Sequence, residues 1–95
     1  MNEMDKAIKM IVEGRVQGVG YRHYIYSHAR QLGIKGYVKN MDDGHVEILA
    51  IADNSTIADF LKIARKGPSF SWVYNIQCTD VNLHKEYNEF EILYS

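Results

Sequence analysis

The spacing of apolar residues along this chain changes repeatedly between strand-like and helix-like, and this alternation limits the fold more than any other feature. Residues 7–16 have the two-residue period of a strand, with Ile8, Met10 and Val12 on one face. Helical spacing follows, with apolar or packing residues at Tyr21, Tyr24, Ile25, His28, Ala29 and Leu32. Further strands are predicted over residues 37–41, 45–52, 72–83 and 89–94.

Local signals mark where the two predicted helices begin and end. Gly33 stands where the first helix needs a left-handed residue, which a glycine adopts without a Cβ clash. Asp53-Asn54-Ser55 offers side chains that cap the start of the second helix. That helix carries apolar residues at Ile57, Phe60, Leu61 and Ala64. It is expected to stop at Lys66-Gly67-Pro68.

The predicted order is β-α-β-β-α-β followed by a short C-terminal strand. Asp42-Asp43-Gly44 joins the second and third strands, and Asp-Gly favours a tight hairpin. Two right-handed crossovers joined by such a hairpin give an α+β, ferredoxin-like sandwich, with an antiparallel sheet and both helices on one face. The 95 residues suffice for a single domain, in which we expect residues 1–5 to be a flexible tail.

Composition excludes several classes of protein. Eleven Lys and Arg against 12 Asp and Glu leave a net charge of −1, which argues against a nucleic-acid binder. No run approaches about 18 apolar residues, so no membrane span is expected. One cysteine, Cys78, allows neither an intrachain disulfide nor a cysteine metal cage, and we expect it to be buried in its strand, in a cytoplasmic protein. The four histidines lack metal-ligand spacing, so no metal is expected.

The most unusual segment, residues 14–22, joins the first strand to the first helix. Its glycines, Gly14, Gly18 and Gly20, allow a sharp turn that directs backbone N–H groups inward. The helix start adds further N–H groups and a partial positive charge, and Arg22 adds a guanidinium fork matched to phosphate oxygens. The segment lacks the lysine of a Walker loop and the third glycine of a dinucleotide loop. It is either an anion cradle or a glycine-rich turn with a surface arginine.

A second feature is Asn40, which ends the second predicted strand just before the hairpin. Its amide is neutral and both donates and accepts hydrogen bonds, so it can orient a water molecule. Taken alone, an asparagine at this position is also typical of a strand that ends at a turn.

Together these segments resemble the acylphosphatase family. Residues 14–22 are similar to its Gly-x-Val-Gln-Gly-Val-x-Phe-Arg loop, and residues 32–40 to its Leu-Gly-x-x-Gly-Trp-Val-x-Asn strand. Tyr21 replaces the usual Phe and Tyr37 the usual Trp, so an aromatic ring is kept at both positions. Further similarity at residues 43–47, 67–68 and 90–92 extends the resemblance over nearly the whole chain.

The resemblance implies hydrolysis of acyl phosphates to a carboxylate and inorganic phosphate without a metal or other cofactor. It assigns phosphate binding to the Arg22 guanidinium and orientation of the attacking water to Asn40. The implied substrate-binding backbone consists of Gln17, Gly18, Val19, Gly20 and Tyr21. The expected partner is a small acyl phosphate, with no nucleic acid or membrane, and the expected state is a monomer.

Two alternatives belong to other functional classes. One is a catalytically silent domain of the same fold that senses phosphate or another anion. The other is an RNA-binding module, because residues 35–39 (Lys-Gly-Tyr-Val-Lys) faintly match the start of an RNP1 motif. The remainder of that motif is absent and the segment falls on the second strand, not the third.

Overall fold

The computed structural model describes residues 4–94; residues 1–3 of the expected tail lie outside the described residues. Its elements follow the predicted order: β1 (Lys6–Arg15), α1 (Tyr21–Gln31), β2 (Lys35–Asn40), β3 (Val46–Ala52), α2 (Asn54–Lys66), β4 (Trp72–Asp80) and β5 (Phe90–Leu93). The ferredoxin-like α+β fold with a short C-terminal strand is therefore confirmed. No helix in residues 4–94 is both long and apolar enough to cross a membrane.

The five strands form one sheet in the order β4-β1-β3-β2-β5. β1 pairs antiparallel with both β3 and β4, and β2 pairs antiparallel with β3. The predicted antiparallel sheet is confirmed for β1 to β4. The short C-terminal strand β5, for which the sequence specified no pairing direction, pairs parallel with β2. After β4 the chain reverses direction and crosses to the far edge, where β2 already runs the same way as β5.

The core lies between the two helices and one face of the sheet. Met10 and Ile48 are register partners at its centre, and both are fully buried. From the helices, the core takes in buried side chains of Tyr21, Ile25, Ala29, Phe60 and Ala64. Removing this apolar surface from water supplies the main force that holds helices and sheet together.

The predicted helix ends are confirmed by the backbone. Gly33 has φ 71°, in the left-handed region, directly after the C-cap residue Leu32. At the start of α2, the Asp53 carboxylate accepts a hydrogen bond of 2.8 Å from the Thr56 N–H. Hydrogen bonds from the backbone and side chain of Thr56 lower the pKa of Asp53, because they favour its charged form.

The edge strand β4 differs from the prediction in two respects. It ends at Asp80, not at residue 83, because Asp80 pairs with Ile8 near the beginning of β1. Cys78 is exposed rather than buried. Since β4 has a neighbouring strand on one side only, Ile76 alone of its residues is buried.

The face of the sheet without helices is partly covered by the segment between β4 and β5. Leu49 and Ile51 are buried on this side, and residues 81–87 line grooves beside them. The Tyr37 ring lies 6.2 Å from the Tyr87 ring, measured between centroids. The Tyr37 hydroxyl donates a hydrogen bond to the Glu47 carboxylate, and burial together with this bond raises the pKa of Tyr37.

Candidate active site

A cleft of about 200 Å³ opens at the end of the sheet where β1, β2 and β5 terminate. Because β1, β2 and β5 all run in the same direction, their C-terminal ends lie at the same end of the sheet. The cleft is lined by Val16, Gly18, Gly20, Tyr21, Arg22, His23, Asn40, Ile92 and Tyr94.

The turn out of β1 depends on glycine. Gly14 has φ 141°, and a Cβ there would lie 2.0 Å from the carbonyl oxygen of Trp72. The register of β1 on β4 shifts at this point, so that Tyr74 has no partner on β1. Such a bulge bends the strand and redirects the chain, here into the loop that borders the cleft. Gly18 and Gly20, with φ 74° and 78°, then complete the loop.

The loop and the start of α1 present backbone N–H groups that no other group of the described chain uses. The N-cap residue is Gly20, which has no capping side chain, and the first turn contains no acidic residue. The first helical bond, 3.0 Å, runs from the Tyr24 N–H to the Gly20 carbonyl. Within residues 4–94, no hydrogen bond takes up the N–H groups of residues 17–23. Unpaired donors at a positive helix end form an anion-binding arrangement.

Arg22 lies in the first turn of α1, beside these N–H groups. Its Nη1 donates a hydrogen bond of 3.4 Å to the Leu93 carbonyl, and its guanidinium carbon lies 4.9 Å from the centre of the Tyr94 ring. Among residues 4–94, no carboxylate forms an ion pair with Arg22. Its positive charge is therefore oriented by β5 without being neutralised there.

Asn40 lines the same cleft from the end of β2. Its Oδ1 atom is buried and has no hydrogen-bond partner within the described chain. Most buried polar atoms are hydrogen bonded, since an unpaired acceptor retains its desolvation penalty. An unpaired acceptor at the border of a cleft is suited to take a hydrogen bond from a small ligand.

The remaining predicted loop residues have structural side chains. The Gln17 side-chain amide donates to the carbonyls of Met41 and His45, each at 2.8 Å, and so fixes the loop to the β2–β3 hairpin. Val19 packs partly against the core. Neither Gln17 nor Val19 is among the residues that line the cleft.

Tyr21 lines the cleft but is otherwise part of the core. Tyr21 is 1% exposed, and its hydroxyl donates a hydrogen bond of 2.8 Å to the Ala64 carbonyl near the end of α2. Burial, with a smaller contribution from Tyr24, raises the pKa of Tyr21, so the hydroxyl remains protonated in its hydrogen bond.

The third side of the cleft, formed by Ile92 and Tyr94, was not predicted from the sequence. The sequence did carry a signal for them, because Ile92 and Tyr94 share one face of the last predicted strand with Phe90. Their nearness to Arg22 follows from the pairing of β5 with β2, which the local pattern does not specify. His23, on α1, also lines the cleft.

The described residues contain no group of three or more His, Cys, Asp or Glu side chains placed to hold a metal ion. Arg22, the loop amides and Asn40 instead combine positive charge, N–H donors and one unpaired acceptor. This set is suited to an anion with a water molecule beside it.

Comparisons with known proteins consistently find acylphosphatases. A family model described as Acylphosphatase matches residues 8–92. An acylphosphatase of Thermotoga maritima is 44% identical over 94% of this chain and 98% of its own length. One from Archaeoglobus fulgidus is 40% identical over 93% and 98%. The crystal structure of acylphosphatase from Bacillus subtilis superposes with a TM-score of 0.87 at 38% identity, covering 93% of this chain and 98% of that one.

Proposed function

The chain belongs to the acylphosphatase family of enzymes, and from that premise we propose how its own residues hydrolyse an acyl phosphate. The backbone N–H groups of residues 17–22 and the Arg22 guanidinium hold the phosphoryl group. Asn40 accepts a hydrogen bond from the attacking water and orients it toward phosphorus. No metal or other cofactor takes part.

Hydrolysis of an acyl phosphate requires little from the protein beyond positioning of the reactants and positive charge. The transition state of phosphoryl transfer is loose, and its charge is spread over the equatorial oxygens. Preorganised N–H dipoles and a guanidinium stabilise that charge, while a fixed water supplies the nucleophile in the correct orientation. The loop amides with Arg22 perform the first task and Asn40 the second.

The reaction forms one bond to phosphorus and breaks another. The water oxygen bonds to phosphorus, and the bond from phosphorus to the bridging oxygen breaks, with its electron pair leaving on the carboxylate. We assign one of the water's two protons to an oxygen of the bound phosphate, which lies next to the water that attacks it. The products are a carboxylate and inorganic phosphate.

The observation that carries this proposal is the unpaired, buried Oδ1 of Asn40 in the same cleft as Arg22. An asparagine with a purely structural role at a strand end would use this oxygen to accept a hydrogen bond from the hairpin that follows. The tie between loop and hairpin is made instead by Gln17, which leaves Asn40 available to the ligand.

The RNA-binding alternative has weaker support. Such a module needs aromatic rings free to stack on bases. Tyr37, the aromatic residue of the RNP1-like segment, is hydrogen bonded to Glu47 and in ring contact with Tyr87.

Replacing Asn40 tests the proposal directly. Asn40→Ala is expected to lower kcat for benzoyl phosphate at least ~100-fold, the range for loss of one preorganised group. The free energy of unfolding should change little, because Oδ1 has no hydrogen bond within the described chain to lose. Steady-state assays measure kcat, and urea unfolding of the same preparation measures the free energy of unfolding.

Asn75→Ala is the matched control. Asn75 lies on β4, is exposed, donates to Glu13 and does not line the cleft. Its variant should keep the wild-type rate, and a near-native rate in Asn40→Ala would refute the role of Asn40. Hydrolysis in oxygen-labelled water should place the label in phosphate; label in the carboxylate would mean attack at the acyl carbon instead.

A further inference from the structure

Two sides of the cleft differ in their chemistry. One side consists of backbone N–H groups and the Arg22 guanidinium. The other consists of the Ile92 and Tyr94 side chains, which belong to β5 and to the residue just after it. An acyl phosphate has the same division, with a charged phosphoryl end and an acyl end that is often apolar.

The aromatic side is held close to the charged side. Arg22 donates a hydrogen bond to the carbonyl of Leu93, which directly precedes Tyr94. The guanidinium carbon then lies 4.9 Å from the centre of the Tyr94 ring, within the range of a cation–π contact. This contact uses one face of the ring, while Tyr94 remains 79% exposed overall. A large part of an aromatic surface is therefore left open at the mouth of the cleft.

Ile92 gives this surface a fixed base. Ile92 faces the side of the sheet that carries the helices, and the Tyr94 ring, just beyond the end of β5, lies against Arg22 of α1 on the same side. Ile92 packs partly against the buried core and cannot move away easily. Together they form an apolar wall that runs from the core to the cleft mouth.

We propose that Tyr94, supported by Ile92, binds the acyl group of the substrate and makes the enzyme favour flat, apolar acyl phosphates such as aromatic ones. The proposal rests on the proposed function above. When Arg22 holds the phosphoryl group, a single bridging oxygen separates phosphorus from the carbonyl carbon, so the acyl group lies next to the ring that covers Arg22. A ring or other flat apolar group gains there by offset or edge contact with Tyr94.

The alternative role of Tyr94 is to position Arg22, and the two roles differ in what they affect. A positioning residue acts on the phosphoryl end, which all acyl phosphates share, so its loss lowers every rate by the same factor. A residue that binds the acyl group distinguishes between acyl groups. The informative quantity is therefore the ratio of kcat/KM for benzoyl phosphate to that for acetyl phosphate.

The experiment measures that ratio for wild type, Tyr94→Ala, Tyr94→Phe and the control Tyr74→Ala. Tyr74 is also an exposed tyrosine, at 68%, but it lies on β4 and does not line the cleft. Tyr94→Ala should lower the ratio about fivefold, mainly through a higher KM for benzoyl phosphate. Tyr94→Phe retains the ring and should keep the ratio, as should Tyr74→Ala.

Equal fold losses on both substrates in Tyr94→Ala, which leave the ratio unchanged, would overturn the proposal and leave Tyr94 a positioning residue. Wild-type rates on both substrates would also overturn it. If the folded wild type hydrolyses neither substrate, the proposed function fails separately. The acyl site is then tested by calorimetric binding of benzoylphosphonate and acetylphosphonate, which are not cleaved. Tighter binding of benzoylphosphonate that is lost in Tyr94→Ala supports the proposal, and equal binding of the two refutes it.

Discussion

At the scale of single residues, Gly14 near the end of β1 and Gly18 in the loop that follows both have a positive φ, but for different reasons. Gly18 has φ 74°, and a Cβ there would meet nothing within 4 Å. Gly14 has φ 141°, and its Cβ would lie 2.0 Å from the backbone oxygen of Trp72. At Gly18 only the conformation demands glycine, whereas at Gly14 the close approach of β4 demands it as well.

Alanine at these two positions should therefore have unequal effects. Gly18→Ala should cost about 1–2 kcal/mol of unfolding free energy, the strain of a left-handed residue. Gly14→Ala should cost about 3 kcal/mol or more, because the pairing of β1 with β4 must also shift. Urea unfolding measures both, and equal losses would mean that β4 yields to the added methyl group without cost.

At the scale of elements, the phosphate-binding loop that we propose is held by a neighbouring hairpin. The Gln17 amide donates to the carbonyls of Met41 and His45, on either side of the β2–β3 turn. The same hairpin follows directly on Asn40. This one side chain thus couples the loop that borders the cleft to the strand that carries Asn40.

Gln17→Ala should loosen that coupling. The two carbonyls lose a part-buried partner, which should lower the free energy of unfolding by about 2 kcal/mol. The less ordered loop should raise KM for benzoyl phosphate several-fold. Gln77→Ala is the control, since Gln77 is exposed on β4 and makes only a longer bond, 3.3 Å, to Glu13. Unchanged stability and KM in Gln17→Ala would show that the loop holds its shape without this tie.

Local patterns predicted the elements well where neighbours in sequence determine them. Periodicity and capping, which act within a few residues, predict the start of α1 at Tyr21, its end before Gly33 and the N-cap of α2 at Asp53. The exposure of Cys78 and the early end of β4 did not follow, because both depend on β4 lying at the sheet edge. Alternation alone does not distinguish an edge strand from a central one.

At the scale of the whole molecule, sheet topology assembles the cleft. β1, β2 and β5 run in the same direction, so Arg22, Asn40 and Tyr94 meet although they are far apart in sequence. The motifs predicted the Arg22 and Asn40 positions because they carry a recognisable pattern. Tyr94 belongs to no such pattern, and its place depends on the parallel pairing of β5, which only the complete fold defines.

The most direct test of this account is the rate of benzoyl phosphate hydrolysis by wild type and Arg22→Ala, both treated with EDTA. Arg30→Ala is the matched control, since Arg30 lies on the same helix but pairs with Glu89 outside the cleft. Wild-type turnover should survive chelation, Arg22→Ala should lose at least ~100-fold in kcat, and Arg30→Ala should stay near wild type. Near-native turnover in Arg22→Ala, or loss of wild-type turnover on chelation, would contradict the account. No turnover by folded wild type would favour an anion-sensing domain instead.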